Sequence, residues 1–301
     1  MMPVLFSLPG NETAGERLAR AIGCEVGQIE SRRFPDGESY IRLLSAVEGR
    51  DVILVCTLNN PNDKLMQLYL AANIARELGA RSVGLIAPYL AYMRQDSRFK
   101  PGEGQTSAHI ARLISSCCDW LVTVDPHLHR HNSLSEIYSI PTRVVQSASS
   151  IATWIKANIP DPVIIGPDAE SEQWAAKVAA AAGCRHAILQ KTRYGDREVE
   201  VSVPDTSGWD GATPVVVDDI ASSGKTMLAA VLHLCSTNLP APVCIAVHGV
   251  FAGNACQELI EAGVARIVSC NTIAHDTNEI DISDAVAVAA TEMLNSKVLA
   301  A

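Results

Sequence analysis

No stretch of this 301-residue sequence is apolar for long enough to cross a bilayer. Runs such as VILVC at 52–56 fall far short of the roughly 20 residues a spanning helix needs. The start, MMPVLFSLPGNE, has no basic lead and soon meets an acid, which argues against a secretory leader. A basic excess is missing too. Lys and Arg total 24 against 33 Asp and Glu, a net charge of −9, so general nucleic-acid binding, which needs clustered cations on phosphates, is not expected. Small phosphorylated ligands stay open, because one pocket can oppose the sign of the whole molecule. Among nine cysteines no CxxC pair occurs and only Cys117 and Cys118 adjoin. Reduced core thiols in a cytoplasmic protein are therefore expected rather than a disulfide framework. What is present is 48% hydrophobic and 19% charged residues, the balance of a soluble globular chain long enough for two domains.

Short Val, Ile and Leu runs alternate with longer Ala-rich segments of helical period. Strands are predicted at 52–57, 83–87, 120–125, 163–166, 187–190, 214–218, 243–248 and 266–270. Helices are predicted near 64–79, 106–117, 170–183, 225–237 and 254–263. Continuous apolar strands separated by helices imply parallel sheets covered on both faces, an α/β fold. VTVDPH, IIGPDA and VVVDD each end a strand in polar residues, at the carboxyl edge where open α/β sheets bind ligands. The stretch EIYSIPTRVVQSASS suggests a junction near residue 145, giving domains 1–145 and 146–301.

TPVVVDDIASSGKTM, residues 213–227, invites two readings. A nucleotide-binding P-loop needs GxxxxGK[ST], but counting five back from Gly224 lands on Asp219, whose anionic side chain would repel a phosphate. A sugar-phosphate pocket makes better physical sense. Asp218 and Asp219 can accept hydrogen bonds from the vicinal hydroxyls of a ribose. The helix opened by Ser222, Ser223, Gly224, Lys225 and Thr226 offers N–H groups, its dipole and hydroxyls to a 5-phosphate. The plainer alternative is a solvated carboxylate pair beside an ordinary helix cap.

This segment resembles the ribose-phosphate signature of phosphoribosyltransferases and phosphoribosyl pyrophosphate (PRPP) synthetases. RRFPDGESYIRL at 32–43, the RQD segment within 87–114, TVDPHLHRH at 123–131, IIGPDAES at 164–171 and LQKTRYGD at 189–196 are similar to synthetase motifs, in family order. The resemblance implies two similar phosphoribosyltransferase-type domains, each a mainly parallel sheet flanked by helices, in a homo-oligomer built from dimers. It implies transfer of the β,γ-diphosphoryl group of ATP to the anomeric hydroxyl of ribose 5-phosphate. By position, Phe34, Asp36, Gly37 and Glu38 would meet the adenine, from a loop serving a neighbouring subunit. Arg94 and Gln95 would hold ATP, and His127 with Asp168 would ligate Mg²⁺. Lys191 and Arg193 would be the catalytic cations, and Asp218 with residues 222–226 would bind ribose 5-phosphate.

His127, His129 and His131 alternate, so on a strand they would share one face and suggest zinc; only His127 matches the family motif. Three departures from the family mark a divergent member. The pyrophosphate loop, DAGG in most members, reads Asp168-Ala169-Glu170-Ser171; the DTGGT of the signature reads Ser222 to Thr226; and Glu48 stands where phosphate-regulated members carry Arg. Glu170 is expected to face outward as a first-turn acid favoured by the helix dipole. A non-catalytic regulatory homologue and a base-specific phosphoribosyltransferase are the rival readings.

Overall fold

The computed structural model describes residues 1–194, 198–202 and 209–298, with the side chains of 190–194, 198–202 and 297–298 outside that description. The chain forms two compact units, Met1–Val145 with Ser283–Ala301, and Gln146–Ile282.

The first unit begins with β1 (Val4–Ser7), α1 (Glu12–Ile22), β2 (Glu25–Val26) and a hairpin of β3 (Ile29–Arg33) with β4 (Ser39–Leu43). Then come β5 (Asp51–Val55), α2 (Pro61–Glu77), β6 (Ser82–Ala87), α3 (Thr106–Cys117), β7 (Trp120–Val124) and β8 (Thr142–Val145). Six strands pair in parallel in the order β2-β1-β5-β6-β7-β8. Val4, Phe6, Val52, Leu54, Val83 and Leu85 enter one core cluster. Their strand neighbours Leu5, Ile53 and Ile86 are fully buried as well. Both faces are therefore covered, which is why the sequence shows continuous apolar runs instead of alternation.

The second unit runs α4 (Ala148–Asn158), β9 (Pro162–Gly166), α5 (Glu172–Ala182), β10 (Arg185–Ile188) and a hairpin of β11 (Gln190–Tyr194) with β12 (Glu198–Ser202). It continues with β13 (Thr213–Ala221), α6 (Lys225–Cys235), β14 (Val243–Gly249), α7 (Ala255–Glu261), β15 (Arg266–Cys270) and β16 (Asn278–Ile280). Its sheet is parallel in the order β10-β9-β13-β14-β15-β16. The last helix, α8 (Ser283–Val298), returns to the first unit and packs on α1, β7 and β8.

The units divide at Val145 and Gln146, inside the 136–150 stretch, which also holds β8 and the start of α4, and Ser283–Ala301, expected in the second domain, belongs to the first unit. The HLHRH segment is a loop after β7, not a strand, so its three histidines do not share a face. The rings of His127 and His129 meet at 3.8 Å between centroids, whereas His131 Nδ1 turns to Glu136 Oε2 at 3.1 Å. All nine cysteines are unbridged, and no helix among the described residues is long and apolar enough to cross a membrane.

Candidate active site

The sheet of the second unit changes direction between β9 and β13, because β10 takes one side of β9 and β13 the other. Loops leaving the carboxyl ends of those two strands diverge and open a crevice, where doubly wound sheets bind ligands. Asp168 follows β9. Its Oδ1 accepts the N–H groups of Glu170 at 3.1 Å and Ser171 at 3.3 Å, capping a single 3-10 turn, Ala169–Ser171. Glu170 is exposed in that turn, and the first-turn acid of α5 itself is Glu172.

On the other wall, β13 continues three residues beyond the predicted end at 218, so Asp218 and Asp219 lie within the strand. The N–H of Asp219 donates to Asp218 Oδ1 at 3.0 Å. Burial first, then the carboxylates of Asp219 and Asp168, push the Asp218 carboxyl well above the usual carboxylate range. Three acids thus crowd the crevice at electrostatic cost.

Beyond β13, Ser222 and Ser223 lead to Gly224, which stands at φ +68 immediately before α6. A Cβ there would lie 3.3 Å from the Ala255 Cβ, so both conformation and space call for glycine. No side chain caps α6, and its first turn holds no acid. The positive end of an 11-residue helix therefore opens at the crevice with no built-in anion, an arrangement suited to phosphate. Ser222 and Thr226 are half-buried, and Ser223 and Lys225 are exposed. Lys191 and Arg193 occupy alternate positions on β11, opposite Val201 and Val199; their side chains lie outside the described residues.

The first unit has the same change of direction, between β1 and β5, with a different filling. Asn11 is buried there, and its Oδ1 accepts the Thr57 N–H at 2.8 Å. Lys64 Nζ donates to the Thr57 carbonyl at 2.9 Å and contacts Asn59 Oδ1. Desolvation lowers the Lys64 pKa. The crevice of this unit is thus occupied by its own polar side chains. The remaining candidates sit elsewhere. Phe34, Asp36, Gly37 and Glu38 form the exposed turn of the β3–β4 hairpin, closed by the Phe34 N–H to the Glu38 carbonyl at 2.9 Å. The Arg32 guanidinium lies 4.6 Å from the Phe34 centroid and 4.2 Å from that of Tyr40. Past β6, Arg94 is exposed, and Gln95 Oε1 accepts the Thr106 hydroxyl at 2.6 Å.

The sequence and fold resemble those of known proteins. Residues 3–117 match the N-terminal domain of ribose phosphate pyrophosphokinase, and residues 133–285 match the phosphoribosyl transferase domain. The ribose-phosphate pyrophosphokinase of Sulfolobus acidocaldarius is 34% identical over 273 residues, covering 89% of this chain and 92% of its own. The chain belongs to the ribose-phosphate pyrophosphokinase family. The pyrophosphokinase of Saccharolobus solfataricus is also 34% identical, over 94% of this chain and 99% of its own. That of Methanopyrus kandleri is 32% identical, over 91% and 94%. The crystal structure of phosphoribosylpyrophosphate synthetase from Mycobacterium smegmatis shares the fold, with a TM-score of 0.85 over 98% of this chain and 99% of its own, at 22% identity.

Within this chain, the structure gathers Asp168, Asp218, Asp219 and the 222–226 segment at one crevice, and the four hairpin residues at another turn. Reading the sequence missed Asn11 and Lys64. Their only signal was a polar residue at the end of the first apolar run, which does not reveal that two strands will part there. It missed Asp96 as well. That buried acid of the RQD segment accepts Arg130 Nη1 at 2.8 Å, tying the loop after β6 to the one after β7.

Proposed function

We propose that the protein is a PRPP synthetase: it transfers the β,γ-diphosphoryl group of ATP to the 1-hydroxyl of ribose 5-phosphate, giving PRPP and AMP. The 1-oxygen bonds to the β-phosphorus as the bond to the α,β-bridging oxygen breaks. AMP leaves with that oxygen, and the hydroxyl proton is released. The observation that carries this reading is the second-unit crevice, with acids on both walls and an uncapped helix N-terminus beside Asp218 and Asp219. Asp218 and Asp219 take the 2- and 3-hydroxyls, while the amides and hydroxyls of 222–226 take the 5-phosphate. Lys225 adds a cation beside it.

Little covalent work falls to the protein in such a transfer, so positioning and charge stabilisation dominate. Lys191 and Arg193 stabilise the negative charge on the transferring group. Arg94 and Gln95 hold the ATP, and the exposed hairpin offers Phe34, Asp36, Gly37 and Glu38 to the adenine of a neighbouring copy in a dimer-based homo-oligomer. The crowded carboxylates at Asp168, Asp218 and Asp219 fit a hard divalent cation, which prefers oxygen ligands. In the second unit Asp168 would hold Mg²⁺; His127, the other ligand that the resemblance implies, belongs to the first unit. Bound there, Mg²⁺ supplies charge neutralisation on the phosphate oxygens. Nine unbridged cysteines suit a reducing, cytoplasmic setting.

Purified protein with ATP and Mg²⁺ should form AMP only when ribose 5-phosphate is added, one AMP for each PRPP. Absence of AMP under those conditions would remove the proposal.

A further inference from the structure

The loop after β14 is built around Phe251, which none of the roles above uses. Its side chain is buried, yet its backbone stands at φ +39, a region that bulky residues seldom occupy. Such a conformation persists only where surrounding contacts fix it. Here they are specific. The N–H groups of Phe251 and Ala252 donate to the carbonyls of Ala221 at 2.8 Å and Ser222 at 3.0 Å, the last residue of β13 and the first of the turn. The Phe251 ring folds back over Gly249, where a Cβ would come within 2.6 Å of its Cε2.

The ring also packs against His275. The two rings lie 4.8 Å apart at 42°. His275 is itself fixed, since Nδ1 lies 2.9 Å from Thr277 Oγ1 and its N–H donates to Asn278 Oδ1 at 3.0 Å. Thr277 Oγ1 in turn lies 2.7 Å from Ser269 Oγ at the end of β15. A continuous set of contacts therefore runs from the third strand of the crevice side to the carbonyls just before Gly224.

We infer that Phe251, seated on His275, is a positioning residue for ribose 5-phosphate: it fixes the 222–224 turn and so aims the N–H groups at the start of α6. Phe251 does not touch the sugar; it acts through the turn. The inference rests on the reading of that turn as the 5-phosphate site. An ordinary core residue would affect stability and both substrates alike, whereas a brace on this turn acts on one substrate.

The test compares Phe251→Ala, His275→Ala and Phe251→Tyr with the unaltered protein by two readouts. The first is backbone amide exchange at 222–226 and 251–252 in the ligand-free protein, which does not depend on catalysis. The second is KM for ribose 5-phosphate and for ATP, measured separately. Both alanine variants should exchange about tenfold faster over these residues and raise KM for ribose 5-phosphate by about tenfold or more, with KM for ATP within about twofold. Phe251→Tyr should stay near the unaltered protein in both readouts. Unchanged exchange at 222–226, or an equal rise in both KM values, would overturn the inference. If Phe251→Ala does not fold, His275→Ala, which leaves the buried phenyl ring in place, decides alone. If the unaltered protein makes no AMP, the functional reading fails, while the exchange readout still decides whether the brace exists.

Discussion

Replacing Asp218 by asparagine is expected to weaken ribose 5-phosphate binding by about 10–100-fold while raising the melting temperature of the ligand-free protein near neutral pH. The loss follows from replacing a carboxyl oxygen by an amide NH₂ that cannot accept the sugar hydroxyl, a mispairing that costs about 1–3 kcal/mol. The gain follows from the crowding of acids. Burial and the carboxylates of Asp219 and Asp168 raise the Asp218 pKa in the folded protein, so the folded state retains a proton that the unfolded chain releases near its ordinary value. Under linkage, a state that binds more protons is penalised as pH rises. Stability from this group is therefore complete below about pH 4, where both states are protonated, and declines upward from there until the raised folded value is passed. Asparagine carries no such penalty. Its advantage should appear as a rise of a few degrees, at about 2–4 °C per kcal/mol for domains of this size, and should shrink to nothing as pH falls toward 4. Melting curves between pH 4 and 8, together with calorimetric titration of ribose 5-phosphate, check both halves. A variant that is less stable near pH 7, or that binds the sugar as tightly as before, contradicts this account of the crevice.

Lys191→Ala should lower kcat for AMP formation by about 10²–10³, the usual cost of removing one preorganised group that stabilises developing charge. KM for ribose 5-phosphate and ATP should move by no more than about threefold, because the interaction strengthens only as charge develops. Lys191→Arg should recover only part of the rate: a planar guanidinium does not reproduce a compact ammonium at the same place. Initial rates over a matrix of both substrates separate these outcomes. A loss below about threefold in kcat would remove Lys191 from the catalytic step. The placement of this residue on β11, two positions before Arg193, is the structural basis for treating the two as a unit.

Much of this fold is legible in the sequence because buried parallel strands write themselves as unbroken Val, Ile and Leu runs. VVV before Asp218, VIIG before Asp168 and WLVTV before the histidines each fall within a sheet strand. What escaped notice has a different signature. The β3–β4 hairpin is half-buried at most positions and mixes charged with apolar residues, so no apolar run marks it. The α4 helix begins in a Ser-rich stretch that reads equally well as a linker. The docking of α8 on α1, β7 and β8 depends on a chain reversal that linear order does not encode. At the site, residue types pointed to sugar-phosphate chemistry, but the strand order that opens the crevice between β9 and β13 emerges only from pairing. The extension of β13 past Asp219 shows the same limit, since two acids in the last third of a strand look from sequence like its end. His131 illustrates it once more: alternate spacing suggested a shared face, and a loop with Glu136 in reach turned it aside.

The most direct measurement is a crystal structure of the protein with ribose 5-phosphate bound. The account predicts the phosphate against the N–H groups that open α6 and the 2- and 3-hydroxyls on Asp218 and Asp219. A sugar phosphate found anywhere else, with that crevice containing only water, would contradict it.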